Sequence, residues 1–97
     1  MTQNASESIT RLKASILGLL SKEPKTKTII TQRLTTAGYK DKEVRDEAIK
    51  SLLDNEEIKL LGNIVPMMPR KATAYKLSAI GEELVEKINS GEVEIIG

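Results

Sequence analysis

The apolar positions fall into three stretches with helical spacing, two that alternate, and a last helical stretch. Ile9, Leu12, Ile16, Leu19 and Leu20 recur every three or four residues. That spacing marks one buried stripe and predicts a first helix from Ser6 or Ser8 to Ser21. Glu23-Pro24 ends it, because the residue before proline avoids helical angles. Lys25-Thr26-Lys27 reads as a brief extended link. A second helix is expected from Thr28, with Ile30, Leu34 and Ala37 inward and Gly38 as its cap, since glycine adopts left-handed angles at little cost. Asp41 is a suitable N-cap for a third helix that runs to about Asn55, with Val44, Ala48, Ile49, Leu52 and Leu53 as its apolar set.

Beyond Asn55 the period changes. Ile58-Lys59-Leu60 alternates, and so does Thr73 to Leu77, with Tyr75 and Leu77 on one face. Between them Leu61 to Ala72 reads as an elaborated hairpin loop, in which Gly62-Asn63 is either part of the loop or a tight turn of its own. A last helix is predicted from Ala79 to Asn89, with Ile80, Leu84 and Ile88 inward. Ser90-Gly91 stops it, and Glu92 to Ile96 forms an acidic-apolar extended tail. The pattern describes one domain over residues 1–97, with a flexible lead at 1–7 and a tail at 92–97. It is mainly α with a small β-hairpin: a three-helix core, a two-stranded wing and a C-terminal helix.

The order of elements, with only Gly38 to Asp41 between the second and third helices, is that of a winged helix-turn-helix. Specific residues carry the likeness. Leu34 to Tyr39 resembles the end of a positioning helix. Val44, Ile49, Leu52 and Ile58 resemble a recognition helix entering the first wing strand. Tyr75-Lys76-Leu77-Ser78-Ala79-Ile80-Gly81, followed by Glu82-Glu83-Leu84, is similar to the passage from wing to last helix in small prokaryotic and archaeal regulators of the PadR, MarR and ArsR kind. The resemblance runs from Leu34 to Ile88 and implies a DNA-binding regulator. It departs at 55–57, where many relatives have glycine; here Asn55 is expected to take the left-handed angle.

Composition narrows the chemistry. The 97 residues include no Cys, no His, no Phe and no Trp, and only two Tyr. Histidine is the commonest general base and metal ligand, so the many Ser and Thr lack an activating partner. No Gly-rich phosphate loop or metal-ligand spacing occurs, and Glu56-Glu57 and Glu82-Glu83 read as solvated helix ends. We therefore expect no enzyme, cofactor or metal. Two tyrosines are too few for the stacking platforms of single-strand binders. Residues 1–8 are polar, with no secretory apolar region, and no apolar run is long enough to span a bilayer; both point to the cytoplasm.

The net charge of +1 hides a block pattern. Residues 1–40 carry seven basic against two acidic side chains, and 41–60 carry four against seven. Residues 61–78 carry three basic and no acidic side chains, and 79–97 carry one against five. Basic blocks thus coincide with the elements that face DNA in the resembled fold. Lys25, Lys27 and Thr28 at the start of the second helix suit phosphate, as helix N-termini do. Gln32 and Arg33 lie on the same helix. Lys40, Lys42 and Arg45 mark the start of the third helix, the end that enters the major groove. Arg70 and Lys71 sit beside prolines in the wing. Against this, the outer face of the third helix carries Glu43, Asp46, Glu47, Lys50 and Asp54, and Arg45 falls near its buried side.

Apolar residues left over from the stripes, namely Leu17, Ile29, Val85, Val93, Ile95 and Ile96, suggest burial between two copies of the chain. The apolar wing cluster Ile64, Val65, Met67 and Met68 suggests packing against the domain or a partner. Double-stranded DNA is therefore the expected partner, bound by a homodimeric transcription regulator. The alternatives are a winged-helix protein-interaction module and an architectural or plasmid-partition DNA-binding protein.

Overall fold

The structure is a computed structural model that describes residues 7–61 and 74–96. The elements in chain order are β1 (Glu7–Thr10), α1 (Arg11–Leu20), β2 (Lys25–Thr26), α2 (Lys27–Thr36), α3 (Lys42–Asp54), β3 (Ile58–Leu61), β4 (Ala74–Leu77), α4 (Ala79–Ser90) and β5 (Val93–Ile96). This is the mainly helical, winged helix-turn-helix arrangement that the residue pattern predicts. Arg70, Lys71, Gly62-Asn63 and the apolar cluster Ile64, Val65, Met67 and Met68 lie outside the described residues.

Helix α1 is the centre of the fold. It packs against α2, α3, α4, β4 and β5. A helix covered from several sides needs a wide apolar face. Leu12, Ile16, Leu17 and Leu20 supply it. Leu17 is therefore not a surplus residue awaiting a partner: it is fully buried within its own chain. Ile30, Leu34, Leu52 and Ile58 complete the driest part of the core. Lys13 Nζ also donates to Ser51 Oγ at 2.8 Å, tying α1 to α3.

Three local signals are realised as expected. Gly38 has φ +107°, and it lets the Gly38 N–H reach the Thr35 carbonyl and the Tyr39 N–H the Leu34 carbonyl. These paired bonds close α2 and reverse the chain into the turn. Asp41 caps α3, its carboxylate accepting from the Glu43 and Val44 N–H groups at 2.9 and 3.3 Å. In β4, Tyr75 and Leu77 are buried and Lys76 is exposed.

The structure also corrects the sequence reading. The stretch expected to open α1 is instead strand β1, which pairs in parallel with β5, Ile9 registering with Ile95. Thr10 caps α1 by accepting from the Lys13 N–H. Ile9 fits a helical stripe and a strand alternation equally well, and only its distant partner decides between them. Helix α2 begins at Lys27 rather than Thr28, and Thr26 caps it. The brief extended link is β2, which joins β4 and β3 in a three-stranded sheet of order β2-β4-β3. The left-handed residue after α3 is Glu56, at φ +61°, whereas Asn55 has φ −87°.

Val44 and Ile80, both expected inside, are 51% and 53% exposed. Lys42, Glu43 and Val44 are all exposed, so the first turn of α3 projects beyond the core. In α4 the inward position at its start belongs to Gly81, which displaces Ile80 outward. Leu60, two residues after the buried Ile58 on the same face of β3, is exposed too.

The Tyr75-to-Gly81 passage has a specific geometry. Ser78 Oγ caps α4 by accepting from the Gly81 N–H at 3.0 Å, and donates to the Glu56 carbonyl at 2.5 Å. The Ser78 N–H donates to the Glu57 carbonyl at 3.1 Å. The backbone of Gly81 packs onto that same carbonyl so closely that a Cβ there would collide with it. Serine and glycine thus fasten the start of α4 to the segment that follows α3.

Candidate nucleic-acid interface

The predicted contact residues do not form one patch; the structure divides them into groups. At 100° per residue, the core side of α2 is set by Ile30 and Leu34, which are both buried. Thr28 and Gln32 share the opposite, exposed stripe. Lys27 and Arg33 flank the buried side from opposite edges, so they do not reach one spot together.

Arg33 turns toward α1. With Lys22 and Lys25 it lines a cavity of about 360 Å³ whose apolar wall includes Leu19 and Leu34. The Lys25 side chain is only 12% exposed and lies 3.8 Å from the Glu23 carboxylate. Burial and the ion pair both limit its use as a free phosphate ligand. Among the described residues, Arg33 and Lys40 have no ion-pair partner, and both are exposed.

Lys27 and Lys42 converge on one carboxylate. Lys42 Nζ donates to Asp46 Oδ2 at 2.7 Å, and Lys27 Nζ lies 3.4 Å from Asp46 Oδ1. The hydrogen bond from Lys42, with the nearby Lys27 charge, holds the Asp46 carboxyl below the usual aspartate range, despite partial desolvation acting the other way. Asp46 therefore stays ionised and bridges the start of α2 to α3. Across this junction the Tyr75 phenol is pushed up, first by burial and then by the Asp46 charge. No residue pattern announced the bridge. Lys42 and Asp46 are legible as an i,i+4 helix pair, but Lys27 arrives only through the fold.

Arg45 is half-buried, and its Nη1 donates to the Tyr39 carbonyl at 2.9 Å. It braces the helix-turn-helix corner from the buried edge of α3. The helix ends differ as well. The first turn of α2 contains no acid. The first turn of α3 contains Glu43 beside the Asp41 cap. The positive end of the α2 macrodipole is thus left for an external anion, while that of α3 is already compensated from within. Further along α3, Glu43, Glu47, Lys50 and Asp54 are exposed. Among the described residues no cluster of side chains is suited to a metal ion, and no helix is long and apolar enough to cross a membrane.

Comparison with known proteins locates the fold. No family model and no curated protein matches the chain. Solved structures do match. A PadR-like transcription factor from Bacteroides fragilis superposes with a TM-score of 0.67 at 22% identity, over 82% of this chain and 78% of that one. The adhesin competence repressor AdcR of Streptococcus pyogenes gives 0.68 at 20% identity, over 86% and 57%. ZitR of Lactococcus lactis gives 0.67 at 18% identity, over 84% and 51%. The chain thus spans about half the length of the ZitR chain it matches. Different sequences converge here on one backbone arrangement, and on that arrangement this protein has the winged helix-turn-helix fold shared by PadR-like and related winged-helix transcription regulators.

Proposed function

We propose that this protein binds double-stranded DNA as a homodimeric transcription regulator in the cytoplasm, without enzymatic activity. The observation that carries the reading is the acid-free start of α2 within a winged helix-turn-helix fold. Phosphate is received there, at the Lys27 and Thr28 end of the helix, with Gln32 on the same exposed stripe. Lys40 and Lys42 present the start of α3 to the major groove. Arg33 and Lys25 flank this surface on the α1 side, Arg45 supports it from behind, and Arg70 and Lys71 of the wing supply a second backbone contact. Contacts of this kind are largely to phosphate, so affinity exceeds sequence discrimination.

Pairing of two copies sets two α3 helices about one DNA turn, roughly 34 Å, apart. Ile29, Ile95 and Ile96, at 40%, 39% and 44% exposure, are the surplus apolar residues still exposed for such an interface. The test is selection of bound duplexes from a random pool. An enriched palindrome with half-sites about 10 base pairs apart supports the dimeric regulator. Enrichment of composition without symmetry points to an architectural role. Unchanged duplex binding after combined Arg70→Glu and Lys71→Glu removes the wing contact from the scheme.

One observation favours a different reading, a protein-interaction module: the exposed Glu43, Glu47 and Asp54 on α3 repel a phosphate backbone. Failure to bind any duplex at low salt, with a stable protein partner recovered by pull-down, is the result that reading requires.

A further inference from the structure

We infer that Asp46 is a built-in competitor for DNA phosphate, a carboxylate that holds Lys27 and Lys42 in the free protein and so sets the duplex affinity below what the fold can reach. The inference rests on the DNA-binding reading above and deepens it. One acidic side chain engages cations from two helices, Lys42 at 2.7 Å and Lys27 at 3.4 Å. Lys27 opens α2, the helix whose first turn offers no acid of its own. Asp46 therefore places a negative charge 3.4 Å from the ammonium of Lys27, the first residue of a helix with no acid in its first turn.

The neighbouring acids of α3 make the contrast. Glu43 and Glu47 are more exposed than Asp46, and neither forms an ion pair among the described residues. They repel DNA only as part of the general field. Asp46 also occupies the two lysines, so that each must exchange a carboxylate for a phosphate on binding. Little net energy accompanies such an exchange, and few counterions are released by it.

The experiment compares Asp46→Asn with Glu47→Gln, which makes the same charge change on the same helix without freeing a lysine. Binding of a random-sequence 20-base-pair duplex is measured by fluorescence anisotropy over a salt series, for the full chain. Freeing two lysines steepens the slope of log affinity against log salt by about 1.8 per protomer and tightens binding at low salt on the order of tenfold. Glu47→Gln is expected to tighten binding by less than about threefold, with little change of slope.

A second comparison isolates the lysines. Lys27→Met together with Lys42→Met weakens binding far more in the Asp46→Asn background than in the wild type. Unaltered thermal melts establish that the variants are folded. Equal effects of Asp46→Asn and Glu47→Gln overturn the inference while leaving the DNA-binding reading intact. Weaker binding by Asp46→Asn overturns it too, because Asp46 would then be positioning the lysines for phosphate. Absence of duplex binding by both wild type and Asp46→Asn at low salt overturns the inference and the reading together.

Discussion

Gly81→Ala should destabilise the protein, although it replaces glycine with the best helix former inside a helix. On propensity alone the change stabilises by about 1 kcal/mol. The structure opposes this. A Cβ at position 81 collides with the Glu57 carbonyl oxygen and meets Leu77 Cδ2 at 3.2 Å. The oxygen is backbone and already accepts from the Ser78 N–H. It cannot move aside without loosening the junction of α3, β4 and α4. Overpacking of this kind costs about 1–3 kcal/mol, or more when backbone is involved, and a strained hydrogen bond adds about 1 kcal/mol. The net expectation is a loss of about 2 kcal/mol. For a domain of this size that lowers the melting temperature by roughly 10 °C.

The control is Gly18→Ala in α1. That site is exposed, and a Cβ there meets nothing within 4 Å. It should gain about 0.5–1 kcal/mol. Thermal and urea denaturation followed by circular dichroism, at one protein concentration, measures both. A Gly81→Ala protein as stable as Gly18→Ala would refute the close approach and the account of the Ser78–Gly81 passage built on it.

Ser78→Ala removes the α4 cap and leaves the Glu56 carbonyl without its hydroxyl donor, and should cost about 1–2 kcal/mol in the same denaturation assay. Glu56→Gly relieves a left-handed non-glycine residue and should stabilise by about 0.5–1 kcal/mol; a loss of stability would show that the Glu56 side chain matters more than its backbone angle. The Asp46 carboxyl should titrate below 3.8, its ordinary value, when followed by carboxyl-carbon NMR, and Lys42→Met should move the midpoint upward. Because the folded-state value is depressed, the stabilisation from this bridge is present above the unfolded pKa and is lost as pH falls through the lower folded value.

The elements that were legible in the sequence are those set by local chemistry. The stripes of α1 to α3 apart from Ile9, Ala37 and Val44, the glycine after α2, the aspartate before α3 and the alternation around Tyr75 and Leu77 each depend on residues within one turn or strand. What stayed hidden depends on distant chain. Glu7–Thr10 becomes a strand only because Val93–Ile96 lies beside it. Leu17 looked surplus only while α1 was counted as a surface helix rather than the centre of the fold. Glu56 adopts a left-handed angle because the backbone needs one there, and the next tether, Ser78, lies 22 residues away.

The candidate interface follows the same division. The basic residues were legible as a block, and their assignment to the starts of α2 and α3 follows from helix order. Their grouping was not legible. Lys25 and Arg33 gather with Lys22 beside α1, while Lys27 and Lys42 gather on Asp46. A run of charge in sequence therefore became two surfaces, because helical periodicity sends neighbours in opposite directions.

The central claim is that this fold meets double-stranded DNA mainly through phosphate contacts. It is tested most directly by titrating the full chain with a random-sequence duplex at salt concentrations from low to physiological. With about five phosphates engaged per protomer, the account predicts measurable binding at low salt and a slope of log affinity against log salt of about −4.5 per protomer. Absence of duplex binding at low salt, or an affinity indifferent to salt, would contradict it.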